Sequence, residues 1–189
     1  MILTKEEVKL QEHLLIKKVC EGALFIYPTD TIYGIGCNAC DDKAVRKLRD
    51  IKKRPDMLFS VIAPSKDWIR NNCVMTGEAM AWLDKLPGPY TLVLKLKDSS
   101  CIAPSVNQGS GTLGVRIPDH WIKGFVENLD FPVVTTSANV SGKVYMTKID
   151  DLDEDIRKFC SFIIYEGQKK GSPSDIIDLS KGSVEVKRR

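Results

Sequence analysis

Histidine is nearly absent from this chain: His13 and His120 are its only two, and no cluster of acidic residues makes up for them. A metal cage built wholly from protein side chains therefore has few ligands to draw on. No G-x-x-x-x-G-K-[ST] occurs, which excludes a P-loop at the level of motif. No apolar run approaches the roughly 20 residues needed to span a bilayer, so no membrane partner is expected. The start, MILTKEEVKLQEHLL, lacks the basic end, apolar block and small-residue site of a signal peptide, and a cytoplasmic location is expected. No Gly/Ser-rich or Pro-rich linker divides the 189 residues, which predicts one domain, and there are no repeats or low-complexity segments.

What is present is ordinary in bulk and uneven in detail. Hydrophobic residues at 43% and charged residues at 28% are typical of a globular protein, and a net charge of +3 is too weak to imply nucleic acid by itself. Yet Arg46, Lys47, Arg49, Lys52, Lys53 and Arg54 fall within nine positions, and Lys187-Arg188-Arg189 ends the sequence. Six cysteines sit in or beside apolar segments of a chain without an export signal, which favours reduced thiols.

Periodicity gives the elements. Thr4 and Glu7 form a capping box, and Val8, Leu15 and Val19 follow at near-helical spacing up to Gly22. ALFIY (23–27) reads as a strand stopped by Pro28. Asp41 or Asp42 caps a second helix with Ala44, Val45, Leu48 and Ile51 on its apolar face, and the basic residues fall largely off that face. Strands are predicted at 58–63, 90–96, 112–117 and 132–136 and near Phe162, Ile176 and Val184. Helices are predicted around Trp68 and Met80 and over 119–129 and 150–160. Strands mixed with helices without strict alternation predict an α/β fold on a mixed sheet.

The stretch YPTDTIYGIGCNACDD (27–42) holds three candidate sites. Gly34-Ile35-Gly36-Cys37-Asn38-Ala39 fits a dinucleotide-binding turn, but six residues separate it from the strand and no acid stands at the expected place near 63–66. Cys37 and Cys40 form a C-x-x-C, but zinc needs a second ligand pair; both read most simply as small buried residues before a helix cap. Thr29 and Thr31 lie beyond a strand's carboxyl end, where ligand sites form in open α/β sheets. Thr135-Thr136-Ser137-Ala138-Asn139 repeats that placement after another strand. Lys52-Lys53-Arg54-Pro55, at a helix end, suits a polyphosphate as well as the helix dipole. Arg116, within the apolar strand TLGVRI, needs an anionic partner if buried, and a substrate carboxylate is a natural candidate.

Taken in order, YPTDTIYGIG (27–36), Lys52-Lys53-Arg54-Pro55, LPGPYTLVLK (86–95), GVRIPDH (114–120) and TTSANVSG (135–142) resemble the YrdC family, the threonylcarbamoyl-AMP synthases of tRNA modification. The resemblance runs from about residue 20 to the end. It implies a single catalytic domain over 1–189, without the extra C-terminal domain of some members, on a twisted mixed parallel/antiparallel sheet with flanking helices and a basic concave cleft. It implies that L-threonine, bicarbonate and ATP are joined into threonylcarbamoyl-AMP and pyrophosphate, and that a separate transferase partner modifies the adenosine beside the anticodon in tRNA. Lys52, Arg54, Ser137 and Asn139 match the family's phosphate- and adenylate-binding features, with Lys52 and Arg54 catalytic and Thr147 and Arg188 as further nucleotide contacts. Thr31, Arg116 and Ser174 match threonine-binding positions. Asp56-Met57-Leu58-Phe59 and Tyr145-Met146-Thr147 depart from the family's usual continuation.

Such a reaction relies mainly on alignment and charge neutralisation, and Mg²⁺ is expected to arrive largely on the ATP phosphates. Two other readings use the same cleft: direct binding of tRNA or double-stranded RNA, which predicts steep salt dependence, and a nucleotide-binding regulator without synthase activity.

Overall fold

The computed structural model describes residues 1–53, 55–181 and 184–188. Ten strands form one mixed sheet in the order β1-β8-β2-β3-β7-β4-β6-β5-β9-β10. They are β1 (Ile2–Leu3), β2 (Leu24–Tyr27), β3 (Gly34–Gly36), β4 (Ser60–Ile62), β5 (Tyr90–Lys95), β6 (Thr112–Arg116), β7 (Val133–Ser137), β8 (Cys160–Ile164), β9 (Asp175–Asp178) and β10 (Glu185–Lys187). β2 runs parallel to β8 and β4 parallel to β6, whereas β3 is antiparallel to both β2 and β7.

Side chains alternate across the sheet, and its two faces pack two cores. Leu24, Ile26, Ile35, Val61, Leu92, Leu113, Val115 and Val134 point to one face, under helices α3 (Asp42–Lys52), α4 (Lys66–Asn72), α5 (Gly77–Asp84), α6 (Pro104–Asn107) and α8 (Glu154–Phe159). Phe25, Tyr27, Ile62, Val133, Phe162 and Ile164 point to the other, under α1 (Lys5–Leu10), α2 (Glu12–Cys20) and α7 (Ile122–Leu129). That second cover stops at one side of the sheet. Farther along the same face the alternating positions become Ser60, Thr91, Arg116 and Thr135, and a cleft opens there.

The Thr4–Glu7 capping box forms at both ends, with the Thr4 amide donating to Glu7 Oε2 at 2.7 Å. The single first helix expected from the sequence is broken at Gln11 into α1 and α2. Asp41 caps α3, accepting from the Lys43 and Ala44 amides. The helix expected over 150–160 starts only at Glu154, and β1 and β3 had no usable sequence pattern because they are two and three residues long. Gly34 and Gly36 do not turn the chain. They lie in β3, where a Cβ on Gly36 would overlap the Val134 carbonyl oxygen, so glycine there permits close strand approach. The C-x-x-C also divides: Cys37 is buried, with its thiol pushed up by burial, whereas Cys40 is exposed rather than buried as expected. Among the described residues no group of His, Cys, Asp and Glu converges to hold a metal ion, and no helix is long and apolar enough to cross a membrane.

Candidate active site

The register brings the two hydroxyl clusters together. Tyr27 at the end of β2 pairs with Gly34, and Gly34 pairs with Ser137 at the end of β7, so the chain after β2 and the chain after β7 leave the sheet at one edge. Between them lies a cleft of about 230 Å³ lined by Thr29, Thr31, Thr91, Arg116, Ser137 and Ser174, among others. Of the positions expected from the sequence, Thr31, Arg116, Ser137 and Ser174 line this cleft.

Arg116 is 6% exposed and its guanidinium does meet an anion, but the chain supplies it. Arg116 Nη2 donates to Asp30 Oδ1 at 2.6 Å, and Asp30 Oδ2 accepts the Asp119 amide at 3.1 Å. Asp30 thus supplies one anionic partner from within the chain. Burial pulls the Arg116 pKa down from its ordinary value, and Asp30 opposes that fall. Nη1 and Nη2 each reach Thr31 Oγ1 at 3.4 Å, while Nε is buried without a hydrogen-bond partner among the described residues. A buried donor left unpaired costs about 1–3 kcal/mol, which is a reason for an acceptor to bind beside it. Ser174 shares a hydrogen bond of 2.8 Å with Thr91.

The basic helix end behaves differently from a solvated row. Arg49 and Lys52 of α3 are buried, contrary to the expectation that the basic residues lie off its packed face. Arg49 donates to the carbonyls of Pro55, Met57, Ser105 and Val106 and lies 4.5 Å over the Phe59 ring, holding the lip of the cleft formed by Met57, Leu58 and Phe59. Lys52 is fully buried; its ammonium donates to the carbonyls of Ser137 at 2.5 Å and Asn139 at 2.6 Å, and lies 3.4 Å from Asn139 Oδ1. Ser137 Oγ in turn donates to Asn139 Oδ1 at 2.5 Å. Lys52 and Asn139 are thus joined to Ser137, which lines the cleft, and Lys52 ties down the Ser137–Asn139 loop. Arg54 lies outside the described residues. Thr147 donates its hydroxyl to Asp151 at 2.6 Å and is not among the cleft-lining residues, and Arg188 is exposed beyond β10.

One participant had no sequence signal. Residues 165–174 leave β8 and enter β9, seven places away in the sheet order. Seven spacings of roughly 4.8 Å need about 34 Å on a flat sheet, close to the full reach of ten residues. The segment therefore crosses the open half of the face as an extended strap. Tyr33 fastens its start, donating to the Gly167 carbonyl at 2.6 Å and accepting the Glu166 amide. Burial pushes the Tyr33 hydroxyl up to about 12. Glu166 accepts from His120 Nε2 and Trp121 Nε1, both at 2.8 Å, and from Lys169. Burial pushes the Glu166 carboxyl up, yet those donors outweigh it and leave it below its ordinary value. Midway, the Lys169 amide donates to the Thr147 carbonyl, and Gly171 lies so close to Thr31 that a Cβ would overlap the Thr31 carbonyl.

Fold and cleft together define an α/β protein of the YrdC type, an architecture shared with E. coli YciO (TM-score 0.86, 21% identity, covering 100% of this chain and 95% of that one). The chain belongs to the Sua5/YciO/YrdC family: the family model described as "Telomere recombination" matches residues 17–189. A Methanocaldococcus jannaschii protein, named provisionally as a threonylcarbamoyl-AMP synthase, is 36% identical over 186 residues, covering 96% of this chain and 86% of its own length. The Pyrococcus abyssi threonylcarbamoyl-AMP synthase is 34% identical over 166 residues, covering 85% of this chain but 48% of its own length. The solved structure of P. abyssi Sua5 complexed with L-threonine superimposes with a TM-score of 0.87 at 28% identity, covering 100% of this chain and 56% of that one. The chain thus spans about half the length of these P. abyssi proteins.

Proposed function

We propose that this protein is a threonylcarbamoyl-AMP synthase, a nucleotidyltransferase that joins L-threonine, bicarbonate and ATP. The observation that carries the reading is the cleft-lining guanidinium of Arg116, with its unpartnered Nε, standing beside Thr31 and next to the Ser137–Asn139 loop. The cleft volume of about 230 Å³ falls below the roughly 300–1,000 Å³ of sites that enclose drug-sized ligands. It suits an amino acid, with the nucleotide reaching outward over Met57, Leu58 and Tyr145.

In this reading the threonine carboxylate is held by Arg116 and its amine lies toward Thr31, with Ser174 closing the pocket. The amine condenses with bicarbonate to a carbamate, releasing water, and a carbamate oxygen attacks the α-phosphorus of ATP as pyrophosphate leaves. Ser137 and Asn139 steady the adenylate. Lys52 and Arg54 neutralise phosphate charge, Lys52 by exchanging a loop carbonyl for a phosphate oxygen, and Thr147 and Arg188 are outer nucleotide contacts. No acid/base side chain is required where alignment and charge neutralisation supply most of the barrier reduction. Mg²⁺ enters on the triphosphate. The product passes to a threonylcarbamoyl transferase acting on tRNA, in the cytoplasm.

The test is to incubate the protein with ATP, Mg²⁺, bicarbonate and each amino acid. Threonine-dependent pyrophosphate release and an adenylate of the expected mass support the synthase. Release of neither product, or salt-steep RNA binding indifferent to threonine and ATP, removes it.

A further inference from the structure

Thr29 is 1% exposed, and its hydroxyl has one proton and, among the described residues, three polar neighbours. Its hydroxyl lies 2.7 Å from the Ile32 carbonyl oxygen, which only accepts. It lies 3.1 Å from the Thr31 amide, which only donates, and 2.9 Å from Thr31 Oγ1, which could do either. A 2.7 Å approach of two oxygens requires a proton between them, so the Thr29 proton is spent on Ile32. The contact with Thr31 must then be made by the Thr31 proton. Arg116, which only donates, also meets Thr31 Oγ1. A one-way chain results, Arg116 to Thr31 to Thr29 to the Ile32 carbonyl, pinned by a pure donor at one end and a pure acceptor at the other.

We infer that Thr29 is a positioning residue that fixes the polarity of Thr31, so that Thr31 offers the cleft lone pairs only and selects a ligand with a hydrogen-bond donor there, the amine of an α-amino acid. The Arg116 contacts at 3.4 Å are long and leave Thr31 capacity for a closer N–H. A carbonyl or ether oxygen in that place would face a lone pair. This inference rests on the amino-acid reading of the cleft and specifies how the amine end is recognised.

The experiment compares two ligands that differ at one position: L-2-aminobutyrate, with an amine, and 2-oxobutanoate, with a carbonyl. Both are measured as competitors of threonine-dependent pyrophosphate release in the wild type, Thr29→Val and Thr29→Ser. The wild type should prefer the amine by at least about tenfold, the usual worth of one hydrogen bond. In Thr29→Val the Thr31 hydroxyl is free to turn and donate, and the preference should fall about tenfold, with the KM for ATP unchanged; Thr29→Ser should restore it. Equal binding of the two ligands by the wild type overturns the inference even if Thr29→Val fails to fold. An equal loss of both ligands in a folded Thr29→Val also overturns it, leaving the synthase reading intact. Failure of the wild type to bind L-threonine removes both.

Discussion

One face of the sheet has two halves built to the same alternation and put to opposite uses. In the covered half, Phe25 stacks on Phe162 at 5.0 Å and meets Phe125 of α7 edge-on at 6.1 Å, with Leu15 and Val19 of α2 in the same core. In the open half the corresponding positions are Ser60, Thr91, Arg116 and Thr135, and the strap crosses there in place of helices. The first half gains from contact with helices. The second keeps its polar groups paired among themselves, Ser174 with Thr91 and Arg116 with Asp30, and leaves the Arg116 Nε buried without a partner among the described residues. Where the outward residue of a strand turns polar, the helical cover ends and the site begins.

The comparison breaks first at Phe25 and Arg116. Phe25→Ala should cost about 3–5 kcal/mol in urea unfolding by opening a hole in an aromatic cluster, with the KM for threonine unchanged at temperatures where the variant is folded. Arg116→Met should cost a similar amount, about 3–5 kcal/mol, because it strands the Asp30 carboxylate. It should also abolish threonine-dependent turnover. Arg116→Met with Asp30→Asn should regain stability and not activity. A double variant no more stable than Arg116→Met would show that the pair is not what the open half relies on.

Lys52 sharpens the boundary between structure and chemistry. Lys52→Met removes the donor from two loop carbonyls and should destabilise by about 1–3 kcal/mol. The same loop carries Ser137 and Asn139, so the KM for ATP should rise more than that for threonine. Loss of stability with unchanged ATP kinetics would confine Lys52 to anchoring.

The covered half was largely legible in the sequence. The apolar run ALFIY and the Val8-Leu15-Val19 spacing mark a buried strand and a helix face, and the ordered motifs carry Thr31, Arg116 and Ser137, which line one cleft with Ser174 from outside those motifs. What could not be read was how cations are spent. Arg49 and Lys52 look like a solvated helix end until the carbonyls they reach, from 55 to 57, 105 to 106 and 137 to 139, fold around them. Asp30 was within reach: a buried strand arginine requires an acid, and PTDT contains one. The strap was beyond reach, because residues 165–174 have no periodicity and their role comes from sheet order alone.

The smallest expected effect lies where the strap is fastened. His120 Nδ1 accepts the Ile122 amide at 3.3 Å, so the ring proton sits on Nε2 and is donated to Glu166. Burial holds the His120 pKa below its ordinary 6.5, outweighing the attraction of Glu166 and Asp30, and Lys169 adds to the depression. As pH falls, the unfolded chain therefore takes up a proton before the folded one does. The stability contributed by neutral His120 is full above about pH 6.5 and is lost as pH falls toward the lowered folded value. Urea unfolding between about pH 7.5 and about pH 5.5 should show this decline, and His120→Gln should remove it, since the amide does not titrate in that window. Glu166, whose pKa is lowered, loses its contribution only farther down, in the carboxylate range. If threonine affinity declines with His120 protonation while ATP affinity does not, the strap governs the amino-acid end of the open half. If both decline together, its contact with the Thr147 carbonyl couples the two ends.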